Sequence, residues 1–137
     1  MKKLLLFGVL ALSINVFAQS TVKIDDLEVM TKDLGKMNWE EAKKACKNLG
    51  DGWRLPSLDE LNLIYENKEM FGGFITRKST RNRTFSFYWT STLEDTRNPN
   101  GDVCFVVFAG GTPGWGYGGQ EWDRNVRAVR GFYNFNN

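Results

Sequence analysis

The chain has 137 residues, 18 Lys and Arg against 16 Asp and Glu, two cysteines and no histidine. Without histidine there is no Ser-His-Asp triad, no Cys-His pair and no imidazole ligand for zinc, which sets aside the ordinary hydrolases. The near-balanced charge gives no general reason to bind nucleic acid or a membrane surface, and the length suits one domain with one core.

Residues 1–18 read as a signal peptide. Met1-Lys2-Lys3 is a short basic start, Leu4 to Leu12 is almost wholly apolar, and Val16-Phe17-Ala18 offers small residues for cleavage after Ala18. The apolar run is too short for a transmembrane anchor, and no Cys follows the cut to take a lipid. The expected product is a single domain over 19–137, exported to the periplasm, the outer surface or the medium. Without Lys2 and Lys3 it carries 16 basic and 16 acidic residues, with eight Phe, four Tyr and five Trp.

Thr21 to Met30 reads as a strand from the loose alternation of Val22, Ile24, Leu27 and Val29, and Thr31 to Met37 as a polar turn around Gly35. Asn38 then caps a helix, with Glu41 completing a capping box and Trp39, Ala42, Cys46 and Leu49 on one face; Gly50 ends it. Ser57 and Glu60 repeat the capping pattern for a second helix, whose apolar stripe is Leu58, Leu61, Ile64 and Tyr65. Pro56 prevents the two helices from merging, so they meet at an angle around Trp53 and Leu55.

Glu69 to Thr84 loses periodicity and reads as an irregular surface loop carrying Arg77, Lys78, Arg81 and Arg83. Phe85–Thr92 and Val103–Ala109 read as strands of a hairpin around the turn Asn98-Pro99-Asn100-Gly101. Gly110 to Gly119 holds six glycines with Trp115 and Tyr117 among them, so a loop is expected there, and Val126–Phe132 reads as a last strand. The first strand pairs most economically with the last, which gives an α+β domain: two short helices on a small, mostly antiparallel sheet with long loops.

Three blocks stand in order: Gly52-Trp53-Arg54-Leu55-Pro56-Ser57-Leu58-Asp59-Glu60-Leu61, Tyr88-Trp89-Thr90-Ser91-Thr92, and Val126-Arg127-Ala128-Val129-Arg130. Their order and spacing resemble the bacterial DUF1566 family, the Lcl C-terminal domain, with its pattern GWRLPT-x-x-EL, YWSST and VRCVR. The resemblance covers roughly Met37 to Gly131. It implies a C-type lectin-like fold used for recognition, adhesin-like in some relatives, and does not imply an established catalytic site. Where the family often places a Cys that partners the first-helix Cys, this chain has Ala128.

Candidate sites follow from residue chemistry. Trp115 and Tyr117 lack packing partners among their glycine neighbours, so either they stack on a sugar or protein ligand or they fold back onto the domain. In the first case Gln120, Glu121, Trp122, Asp123 and Asn125 supply hydrogen bonds and further ring surface. Arg77, Lys78, Arg81 and Arg83 offer a contact for an anionic glycan, or a solvated loop. Trp53, Arg54 and Leu55 read as a structural joint, with Arg54 bonded to carbonyls or a carboxylate. Asn98, Asn100, Asp102, Glu121 and Asp123 are oxygen donors, yet no complete calcium loop is present, and the turn explains the first three; no cofactor or metal is expected. In an exported chain two cysteines are expected to pair, Cys46 with Cys104.

The expected function is non-enzymatic: an exported domain that binds a glycan or an envelope or extracellular protein through its late loops. The competing classes are an enzyme similar to formylglycine-generating proteins, which would need a reactive cysteine pair, and a structural envelope component.

Overall fold

The computed structural model describes residues 20–72, 74, 77–78, 84–109 and 114–136; the expected signal peptide lies outside them. The first strand signal resolves into a hairpin. β1 (Thr21–Ile24) and β2 (Leu27–Met30) pair antiparallel, from Thr21↔Met30 to Ile24↔Leu27. Asp25 turns the chain at φ 50°, a left-handed conformation that Asp tolerates better than most residues. The polar turn expected over Thr31 to Met37 instead ends in a short strand, β3 (Gly35–Met37), because a later strand supplies its hydrogen bonds.

The two helices start as their capping chemistry dictates. In α1 (Trp39–Asn48) the Asn38 side chain accepts from the Glu41 N–H at 2.9 Å, and the Asn38 N–H donates to the Glu41 carboxylate at 3.1 Å. Trp39, Ala42 and Cys46 are its buried face, and Gly50 at φ 72° turns the chain away. In α2 (Leu58–Glu66) Ser57 and Glu60 form the same reciprocal cap, each such cap being worth about 1 kcal/mol. Leu61, Ile64 and Tyr65 of the predicted stripe are buried, and Leu58 is half-buried. Part of the segment expected to be irregular is ordered as one helical turn, α3 (Lys68–Phe71), and a two-residue strand, β4 (Arg77–Lys78).

The late strands are β5 (Thr84–Leu93), β6 (Val103–Ala109), β7 (Gly114–Gly118), β8 (Arg124–Val126) and β9 (Val129–Gly131). β5 and β6 form the expected hairpin, Phe85↔Ala109 to Leu93↔Val103, with a bulge between Trp89 and Leu93. The larger sheet runs β3-β8-β5-β6-β7, with β4 also paired to β5. The smaller sheet is β1-β2-β9, so the closing strand pairs with the second strand of the opening hairpin. The fold is α+β, with three helices among the described residues and two small, mostly antiparallel sheets.

Strand alternation divides the core in two. Tyr88, Val106 and Phe108 of the larger sheet join Leu61, Ile64 and Tyr65 of α2 and Leu27, Val29 and Val129 of the smaller sheet. Trp89 and Val103 join Trp39, Ala42 and Cys46 of α1, with Trp53, Leu55, Val126 and Ala128. Indole N–H groups tie the second half together: Trp39 donates to the Thr90 carbonyl and Trp89 to the Met37 carbonyl, both at 2.9 Å.

A charged knot crosses the domain. Arg127 is fully buried, and its Nε donates to Asp33 Oδ1 at 2.6 Å while Tyr88 donates its hydroxyl to Asp33 Oδ2, also at 2.6 Å. Arg127 Nη1 donates to the carbonyls of Met30 at 2.9 Å and Gly72 at 3.3 Å, and the guanidinium lies over the Phe74 ring. Nothing in the sequence pattern marked Asp33, because its partner lies 94 residues away.

Candidate functional site

The joint at Trp53-Arg54-Leu55 is structural, as its residue types suggested. Trp53 and Leu55 are buried in the second core. Arg54 bridges backbone to backbone with Val129, and its fork donates to both Glu60 oxygens at 2.8 Å, to the Gly131 carbonyl at 2.7 Å and to the Leu55 carbonyl at 3.2 Å. Burial works to raise the Glu60 pKa, but the Arg54 bonds and the Ser57 N–H outweigh it and hold the carboxyl below its ordinary value. Arg54 is committed on every side, which leaves little of it for a ligand.

The glycine-rich segment departs from expectation. Part of it, β7, is a strand bonded to β6 from Val103↔Gly118 to Val107↔Gly114. Period-two alternation explains its composition. Gly114, Gly116 and Gly118 share the sheet face of Phe105, and a Cβ at Gly116 would stand 3.0 Å from Phe105 Cζ, while one at Gly118 would stand 2.7 Å from Arg124 Nη2. The odd positions point the other way. Trp115 and Tyr117 are 57% and 38% exposed, with ring centroids 5.6 Å apart and planes at 80°. The pair therefore stands on the edge strand of a sheet, held by ladder hydrogen bonds.

Next to it the β7–β8 loop carries Glu121, Trp122 and Asp123, all exposed. Gln120 anchors this loop: its Nε2 donates to the carbonyls of Pro99 and Gly101, each at 2.8 Å, and its backbone carbonyl accepts from the Trp39 N–H at 3.0 Å. One residue so joins two loops to the start of α1. Asn125 does not belong to the exposed group, because it is buried at the centre of β8 between β3 and β5. In the Asn98–Gly101 turn the Asn98 side chain accepts from the Asn100 N–H at 3.3 Å and its carbonyl from the Gly101 N–H at 3.0 Å.

Of the basic cluster, Arg77 and Lys78 form β4 in register with Phe85 and Thr84, while Arg81 and Arg83 lie outside the described residues. The expected bond between Cys46 and Cys104 is not formed; both are buried free thiols on different elements, one on α1 and one on β6. Burial pushes the Cys46 pKa up to about 12 and raises that of Cys104 as well, so neither is poised as a thiolate. Cys46 shares its core cluster with Ala128.

A separate groove of about 360 Å³ lies between α2 and the C-terminal residues, lined by Asp59, Glu66, Tyr133 and Phe135 among others. Among the described residues no group of three or more His, Cys, Asp or Glu could hold a metal ion, and no helix is long and apolar enough to cross a membrane. No curated protein matches the chain. A family profile does, over residues 19–130, a span that takes in the capped helices, the Arg54 joint and the Arg127 knot. The chain belongs to the Lcl C-terminal domain family.

Proposed function

We propose that this chain is an exported, non-enzymatic recognition domain of C-type lectin-like fold that binds a glycan or protein ligand through Trp115, Tyr117, Trp122 and the neighbouring carboxylates of Glu121 and Asp123. The observation that carries the proposal is the exposed Trp115–Tyr117 pair on a hydrogen-bonded edge strand. Rings fixed on a strand lose little conformational freedom when a ligand stacks on them, and such faces suit the C–H surface of a sugar or an apolar side chain. The loop carrying Trp122 is anchored by Gln120, so its polar groups are also pre-positioned. Buried, protonated thiols favour binding over thiol oxidation chemistry. The fold assignment rests on the family resemblance together with the arrangement of two capped helices and a sheet that joins early and late strands.

The test is a glycan array and an envelope pull-down with residues 19–137 as wild type, Trp115→Ala and Trp122→Ala. A ligand retained by wild type and lost by Trp115→Ala at unchanged melting temperature supports the proposal. Empty results for wild type in both formats, or equal retention by all three proteins, would overturn it.

A further inference from the structure

Among the described residues arginines are paired as a rule. Arg54, Arg97, Arg127 and Arg130 each meet a carboxylate within 3 Å. Arg124 of β8 meets none among the described residues, and its buried Nε has no hydrogen-bond acceptor. Its guanidinium is instead cupped by rings, with centroids at 3.7 Å for Phe105, 4.9 Å for Trp89 and 5.4 Å for Phe87. Gly118 of β7 closes the cup from the far side of Phe105, since a Cβ there would press on Nη2. Desolvation lowers the Arg124 pKa, the expected response of a cation drawn from water without a counter-charge.

Aromatic rings satisfy the flat faces of a guanidinium and leave its N–H edge unused. That edge is the part matched to a carboxylate, which accepts two parallel bonds from the fork. Nε is buried, but Arg124 as a whole is only partly so, and an oxyanion approaches from solvent at the Nη1–Nη2 end of the fork. Half-buried Phe87 and Phe105 lie edge to face at 5.7 Å beside the cation and offer apolar ring surface to the body of the ligand. Exposed Glu121 and Asp123 lie within three residues of Arg124 in sequence and disfavour densely charged polyanions such as acidic peptides or heavily sulfated polymers.

We propose that Arg124, cupped by Phe105, Trp89 and Phe87, is a binding site for the isolated carboxylate of an acidic sugar, on the sheet face opposite Trp115 and Tyr117. The site does not depend on the Trp115–Tyr117 pair and stands or falls apart from it.

A glucuronic-acid-capped oligosaccharide and its glucose-capped counterpart serve as probes, with calorimetry for affinity and the Arg124 Nε–H resonance for location. Wild type is expected to bind the acidic probe at least tenfold tighter than the neutral one, with the Arg124 signal shifting on titration. Trp115→Ala should keep that ratio and Arg124→Met should lose it. Arg124→Lys, which retains the charge without the fork, should weaken the acidic probe about fivefold at an unchanged circular dichroism spectrum, and it provides the readout if Arg124→Met does not fold. A ratio near one for wild type, an Arg124 resonance that stays in place, undiminished acidic preference in a folded Arg124 variant, or equally tight binding of poly-glutamate or a sulfated polymer would each overturn the proposal.

Discussion

Replacing Asp33 by Ala isolates the energetic role of the buried knot. The substitution takes the Asp33 carboxylate away from a fully buried Arg127 and removes an acceptor of the Tyr88 hydroxyl. Stranding one partner of a buried ion pair costs about 3–5 kcal/mol, because the remaining charge keeps its desolvation penalty. The Met30 and Gly72 carbonyls are among the acceptors that stay with Arg127, which places the expected loss toward the lower half of that range. At about 4 °C per kcal/mol for a domain of this size, the melting temperature should drop by roughly 12–16 °C. Urea denaturation followed by tryptophan fluorescence would show a lower midpoint at constant slope. Arg127→Met strands the carboxylate in turn, and the double variant strands neither charge, so its loss should fall short of the sum of the singles by about 2–3 kcal/mol. Strict additivity, or a midpoint change no larger than that of Asp95→Ala at the exposed Asp95–Arg97 pair, would refute the reasoning.

Glu60 links stability to pH. Its folded-state pKa lies below the ordinary 4.5, so its contribution is complete above that value and is lost as pH falls through the lower folded-state value. Glu60→Gln should therefore be less stable than wild type at pH 7 and show a shallower loss of stability below pH 4.5 in acid titrations of the denaturation midpoint. Gly131 sits at φ 75° in β9, where a Cβ would collide with the Asp26 carbonyl oxygen. Gly131→Ala should cost about 2–4 kcal/mol by thermal or urea denaturation, from backbone strain and overpacking together. Both thiols should resist a thiol reagent in the native protein and react, two per chain, after unfolding; a peptide cross-linked through Cys46 and Cys104 in a non-reducing digest would contradict this.

Local chemistry was legible in the sequence. Asn38 with Glu41 and Ser57 with Glu60 lie three residues apart, so each cap is settled within one turn and requires no knowledge of the rest of the fold. The same holds for Trp53 and Leu55, whose size and position beside Pro56 left them little choice but the core. Long-range pairing was legible in part: the first strand signal does pair with the last, through β2 and β9, while other pairings left no mark. Thr21–Met30 looked like one strand because Val22 and Ile24 alternate and so do Leu27 and Val29, but the phase slips by one residue across Asp25 and Asp26, where the left-handed Asp25 turns the chain. Gly35–Met37 is a strand because β8 lies beside it, a fact held by residues about ninety positions away. The β7 segment could have been recognised: glycine at 114, 116 and 118 alternating with Trp115 and Tyr117 has the period of two that marks a strand with one crowded face. Gln120 drew attention as a ligand donor because an amide among aromatics suits sugars, yet carbonyls in the neighbouring turn had first claim on it.

Residues 124–131 complete many of the long-range contacts described above. They supply the partner of Asp33, the backbone bridge to Arg54, the carbonyl at Gly131, the third strand of the smaller sheet and the strand between β3 and β5. Until that stretch has emerged from the ribosome the opening hairpin has only its own two strands, the Asp33 carboxylate has no cation, and both cores lack a wall. Such a high contact order makes folding a late, all-or-none event, and a chain cut short before Arg124 would have no stable half to fall back on.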